Sequence, residues 1–84
     1  MEREELRRLG KILHISRNQR LILKLENKFS VRLGLEVFDG KLNSIGTIVD
    51  IFGPVSSPYV SIKPSIPHPQ RYVGKIVYAP KTLR

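Results

Sequence analysis

Cysteine is absent from the 84 residues. That excludes a disulfide framework and thiolate metal sites, and it fits an intracellular protein. Histidine is scarce too: only His14 and His68, far apart, with no companion ligand beside either. A metal site needs several convergent donors, so no metal ligand is assigned. No apolar run is long enough to cross a bilayer. The longest uncharged stretch, residues 51–62, is broken by Gly53, Pro54, Ser56, Ser57 and Pro58. The opening MEREELRRLG carries charge but no apolar segment, so no signal peptide is expected.

Neither GxGxxG nor GxxxxGK followed by Ser or Thr occurs, so no phosphate-cradling loop and no cofactor-binding residue is expected. Ser56 and Ser57 have no histidine nearby in sequence to activate them. Asp50 is the one carboxylate that interrupts an apolar strand, but no acid or nucleophile accompanies it. Its expected work is to accept hydrogen bonds from backbone near the following turn, or to pair with a partner's cation. No catalytic residue emerges, and the chain reads as a non-enzyme.

Acidic side chains are few: 7 Asp+Glu face 15 Lys+Arg, for a net charge of +8. The last carboxylate is Asp50, so Lys63, Arg71, Lys75, Lys81 and Arg84 follow with no acidic neighbour. Such a balance suits an anionic partner or a nucleic-acid-rich setting more than a charged, soluble surface with no specific ligand. At this length one domain is expected, burying only about 60% of the surface its unfolded chain would expose.

What is present is β pattern. Residues 1–7 read as a charged lead-in, residues 8–80 as a β-barrel domain and residues 81–84 as a tail. Strands are expected at residues 10–15, 20–26, 35–38, 44–52, 58–63 and 74–79, with Pro80 ending the last. Residues 20–26 alternate Leu21, Leu23 and Leu25 with Arg20, Lys24 and Glu26, so one face is buried and one wet. Residues 44–52 are apolar on both faces: Ile45, Val49 and Ile51 on one, Ile48 and Phe52 on the other. Gly46 there leaves room for a bulge or a close backbone neighbour. Asp39-Gly40 marks a turn. Three prolines in residues 64–69 (PSIPHP) bar a central strand or a helix. Six short strands without an amphipathic helix indicate a small all-β protein, a sandwich or a six-stranded antiparallel barrel; closure, which removes edges, favours the barrel.

Two surfaces stand out. Tyr59 with Lys63 and Tyr72 with Lys75 interleave rings with cations, as a nucleic-acid-stacking face would, or as packing at a barrel rim would. The second is GPVSSP, residues 53–58, between two apolar strands. Prolines at both ends stiffen it and lower the entropic cost of presenting Val55 and Tyr59. It is either a docking surface or a loop folded back over the barrel mouth.

The stretch IGTIVDIFGPVSSPYVSIKP (residues 45–64), followed by YVGKIVY (72–78), closely resembles the core of the glycine–arginine-rich (GAR) subunit of box H/ACA small ribonucleoproteins. The family pattern GxVxDxFGPVxxPYVxIKP is met by Gly46, Ile48 in place of Val, Asp50, Phe52, Gly53, Pro54, Val55, Pro58, Tyr59, Val60, Ile62, Lys63 and Pro64. RLGKILH and VFDGKL resemble the family's first strand and third-strand turn, so the likeness runs from Leu6 to Pro80.

The resemblance implies a barrel of the translation-factor (reductase/isomerase/elongation factor) type without catalysis. The implied partner is the pseudouridine synthase catalytic subunit of the H/ACA particle, beside whose mobile thumb loop the barrel helps substrate RNA load and leave. Guide-directed pseudouridylation, as in rRNA processing and ribosome biogenesis, is then the activity of the whole particle, and guide and substrate RNA are met mainly indirectly. Protein-binding residues carried over are Phe52, Gly53, Pro54, Val55, Pro58 and Tyr59, with Gly46 and Asp50 as supports. RGG repeats of the eukaryotic members are missing from the flanks, so the chain is similar to the bare archaeal form: cytoplasmic, off the membrane and monomeric outside the particle. The alternative is a barrel that binds RNA directly, of the ribosomal or single-strand-binding type.

Overall fold

A computed structural model describes residues 6–26 and 31–80. Six strands run in chain order: β1 Leu6–Ile15, β2 Leu21–Lys24, β3 Glu36–Phe38, β4 Ser44–Phe52, β5 Tyr59–Pro64 and β6 Ile76–Pro80. They close into an all-antiparallel barrel in the order β1-β2-β5-β4-β3-β6. The closing seam between β3 and β6 is thin, with the single pair Phe38 and Tyr78 in register. The expected all-β class and closed barrel are therefore what the chain forms.

Several boundaries differ from the expectation, and at the start of β1 and the end of β6, where Pro80 belongs to the strand, the reason is tertiary. β1 begins at Leu6 because Leu6, Arg7 and Arg8 pair with Pro80, Ala79 and Tyr78 of β6. Leu6 and Arg7 thus belong to the barrel wall and not to a lead-in; the rest of that lead-in, the 81–84 tail and Phe29 lie outside the described residues. A 3-10 turn over Pro69–Tyr72, not anticipated, follows the proline-rich segment. Proline suits its first position, where the missing N–H has no partner to lose. Gly74 N–H then donates to the Ile12 carbonyl (2.8 Å) and Ile12 N–H to that of Lys75 (3.0 Å), tying the segment to β1.

The inward set of β4 is not the alternating one. The register with β3 shifts between Val37 and Phe38, which leaves Ile45 extra; the register with β5 shifts between Ile48 and Asp50, which leaves Val49 extra. Each extra residue is a bulge that changes which side the chain presents. Ile45 and Ile48 are consequently both fully buried, and Ile51 packs against the same core. β1 behaves alike: Leu9 and Ile12 are buried across one shift, while Leu13 sits at a second shift and is 46% exposed. The core also takes Leu21, Leu23, Val37, Val60, Ile62, Val77 and Ala79.

Gly46 is required where β4 crosses β5. A Cβ there would press on the Lys63 carbonyl oxygen and lie 2.9 Å from Ile62 Cγ2. The expected close backbone neighbour is thus the paired strand itself.

Candidate functional site

β4 and β5 meet at the GPVSSP turn. Gly53 has φ of +91°, a left-handed value that glycine adopts without strain, and a Cβ there would stand 3.0 Å from Tyr59 Cδ1. The sharp reversal is made by residues 54–57, with Ser57 N–H donating to the Pro54 carbonyl at 3.1 Å. Proline therefore opens the turn, and Val55 occupies its apex, 99% exposed. Beneath it the Phe52 and Tyr59 rings stack, with centroids 5.7 Å apart and planes 19° from parallel. That pair follows from register, since Phe52 is directly opposite Tyr59. Leu25 N–H donates to the Pro58 carbonyl at 2.9 Å and anchors the return to β2.

Phe52, Gly53, Pro54, Val55, Pro58 and Tyr59 are brought together at this one end of the hairpin. Gly46 and Asp50 lie further back along β4. Asp50 is exposed opposite Ser61, and its carboxylate takes no hydrogen bond from the turn. The expected bonding of Asp50 to turn backbone is not made, because the bulge at Val49 turns its side chain to solvent.

The tip does not fold over the barrel mouth. It runs into a shallow groove lined by Lys11, Leu13, Lys24, Leu25, Glu26 and Ser57. Leu13 and Leu25 add apolar surface there that sequence reading missed. Leu13 reads as an ordinary strand residue, and only the β1 bulge turns it outward.

The carboxylate with the richest surroundings is Asp39, which sequence reading treated only as a turn residue. Lys41 and Asn43 N–H donate to its Oδ1 at 2.8 and 2.9 Å. Asn43 Nδ2 and the Tyr72 hydroxyl donate to Oδ2 at 3.4 and 3.1 Å. Burial pushes the Asp39 carboxyl up, but the Asn43 and Lys41 backbone donors, with the Asn43 and Tyr72 side chains, outweigh it and hold it below its ordinary value. Burial and then the hydrogen bond and charge of Asp39 push the Tyr72 phenol up, against a smaller opposing effect of Arg71. Of the two ring–cation pairs, Tyr72 and Lys75 share a groove, with Asp39 in it. Tyr59 is instead committed to Phe52.

Among the described residues no group of three or more His, Cys, Asp or Glu side chains could hold a metal ion. No helix among them is long and apolar enough to cross a membrane.

The overall fold is one already seen in solved structures. The Gar1 domain of NAf1 superimposes with a TM-score of 0.70, covering 96% of this chain and 87% of that one, at 17% identity. At that identity the likeness is one of fold: the chain has a Gar1-like barrel. No family model matches the sequence. A protein of Methanothermobacter thermautotrophicus, described as uncharacterized, is 38% identical over 77 residues, covering 87% of this chain and 82% of its own. The chain belongs to the family of that Methanothermobacter protein.

Proposed function

We propose that the protein is a non-catalytic subunit of an H/ACA-type ribonucleoprotein, docking by its β4–β5 hairpin tip on the pseudouridine synthase subunit. There it supports loading and release of substrate RNA during guide-directed pseudouridylation. The observation that carries this reading is Val55. A valine 99% exposed, on a turn bounded by prolines, crowns a stacked Phe52–Tyr59 pair, and Ser57 of the same turn lines a groove with exposed Leu13. Contiguous apolar surface of this kind marks a contact site. Its stiffness limits the entropy lost on binding. The family pattern in residues 46–64 and the Gar1-like barrel support the choice of partner.

The test is association of the Val55→Ala/Tyr59→Ala variant with the synthase subunit. Central anchors cost about 2 kcal/mol or more when truncated, which is roughly a 30-fold loss. The single Val55→Ala variant, which removes no buried contact, is the companion that keeps the barrel intact. In a reconstituted particle the double variant slows multiple-turnover pseudouridylation, while guide-RNA assembly on the remaining proteins survives. Unchanged synthase affinity in folded Val55→Ala and in the double variant would refute the tip as the docking site.

A further inference from the structure

At the other end of β4 the surface changes character. The turn through residues 39–43, the 3-10 turn and the start of β6 enclose a groove lined by Lys41, Arg71, Lys75, Tyr72, Tyr78 and Asp39, among others. Lys41, Arg71 and Lys75 are exposed, and none has a carboxylate within ion-pairing distance among the described residues. Asp39 does not supply that partner. Its two oxygens are taken by the N–H groups of Lys41 and Asn43, by Asn43 Nδ2 and by the Tyr72 hydroxyl. With its hydroxyl on Asp39 and its ring packed against the core, Tyr72 is fixed in the groove wall, and half-buried Tyr78 lines the same groove.

We infer that this groove binds the phosphodiester backbone of a single-stranded nucleic acid, with Lys41, Arg71 and Lys75 neutralising phosphates and a tyrosine ring offered to a base. Three uncompensated cations around aromatic rings are the elements of a single-strand platform: charge follows the backbone and rings accept unstacked bases. An acidic peptide would use the cations but not the rings. With Lys41, Arg71 and Lys75 engaged by phosphates and Asp39 saturated, Asn43 is left to meet a base edge, so binding is weak and insensitive to sequence. Nine residues of β4 at ~3.3 Å each put this groove roughly 25–30 Å from the hairpin tip. A protein partner on the tip therefore leaves it open. The inference stands apart from the docking proposal, and either can fail alone.

The experiment is fluorescence anisotropy of labelled oligouridylate and oligothymidylate titrated with the full chain across a salt series, with polyglutamate as competitor. Removing a phosphate contact to a single strand lowers the slope of log K against log salt by ~0.7, so Lys41→Ala/Arg71→Ala/Lys75→Ala lowers it by about 2. At low salt that corresponds to a loss of about tenfold or more. The control, Lys11→Ala/Lys24→Ala/Lys63→Ala, removes equal charge elsewhere and keeps the slope within about 0.7 of the parent, as no phosphate contact is lost. The single variant Lys75→Ala, lowering the slope by about 0.7, carries the same test if the triple variant unfolds. Preference for oligouridylate would identify RNA as the source, and equal binding would leave the backbone as the ligand; both support the site. Equal losses from groove and control variants, or polyglutamate bound as tightly with the same groove dependence, would overturn it.

Discussion

Replacing Gly46 by alanine puts one carbon where β4 and β5 have no room. The new Cβ meets the Lys63 carbonyl oxygen, lies 2.9 Å from Ile62 Cγ2 and 3.0 Å from the Lys63 carbonyl carbon. Two of these three neighbours are backbone, and the third belongs to a fully buried side chain, so nothing swings aside cheaply. Overpacking a dense core costs about 1–3 kcal/mol, and a backbone obstacle puts this site at the upper end. Alanine recovers about 0.5–1 kcal/mol by restricting the unfolded chain. The net loss is about 2 kcal/mol, or a fall of roughly 8–16 °C in melting temperature for a domain of this size. Thermal and urea unfolding followed by circular dichroism measure it. The matched control is Gly40→Ala: its nearest atom, Tyr78 Cε1, is 4.0 Å away and its φ is not left-handed, so only the unfolded-chain effect remains and its melting temperature rises by a few degrees above the parent's. A Gly46→Ala protein melting within about 2 °C of the parent would refute the packing argument, since that corresponds to well under 1 kcal/mol.

Leu42 holds φ of +69° with its side chain 68% exposed, so Leu42→Asn removes left-handed strain and raises stability by about 1 kcal/mol, read as a higher urea midpoint. Asp39 is held below its ordinary value of 3.8, so its bonded carboxylate stabilises the fold above that pH and the benefit fades as pH falls through the lowered folded value; the stability gap between parent and Asp39→Ala, about 1–3 kcal/mol at neutral pH, narrows in urea melts below about pH 4. The Tyr72 phenol ionises above its ordinary value of 10.0, so its titration, followed by phenolate absorbance, moves down in Asp39→Asn; because the folded value is the raised one, this group's stabilisation is present below pH 10 and is lost in alkali. Phe52→Ala breaks the ring stack with Tyr59 and costs about 0.5–1.5 kcal/mol beyond lost burial, whereas Val55→Asp, at a 99% exposed site, leaves the melting curve within about 0.5 kcal/mol of the parent.

Strand chemistry and turn chemistry are local, and they were legible. The bounds of β4, Ser44–Phe52, follow from its apolar run and the Gly-Pro that ends it. The rigid, proline-bounded turn and the apolar residue at its apex could be read from six letters. So could the excess of cations after Asp50. What the sequence left open was every decision taken by a distant segment. The period-two rule assigned Ile45 and Ile48 to opposite faces, but bulges against β3 and β5 bury both. Leu6 and Arg7 looked like part of a charged lead-in until Pro80 and Ala79 offered them a ladder. Asp39 and Tyr72 are 33 residues apart, and only barrel closure brings the hydroxyl to the carboxylate and gathers Lys41, Arg71 and Lys75 around them. Local propensity is a property of neighbouring residues, whereas register, bulges and closure minimise free energy over pairs that the chain joins only by folding. The sequence by itself determined the strands, the stiff tip and the charge; the tertiary structure decided which faces they turn inward and which side chains share a groove.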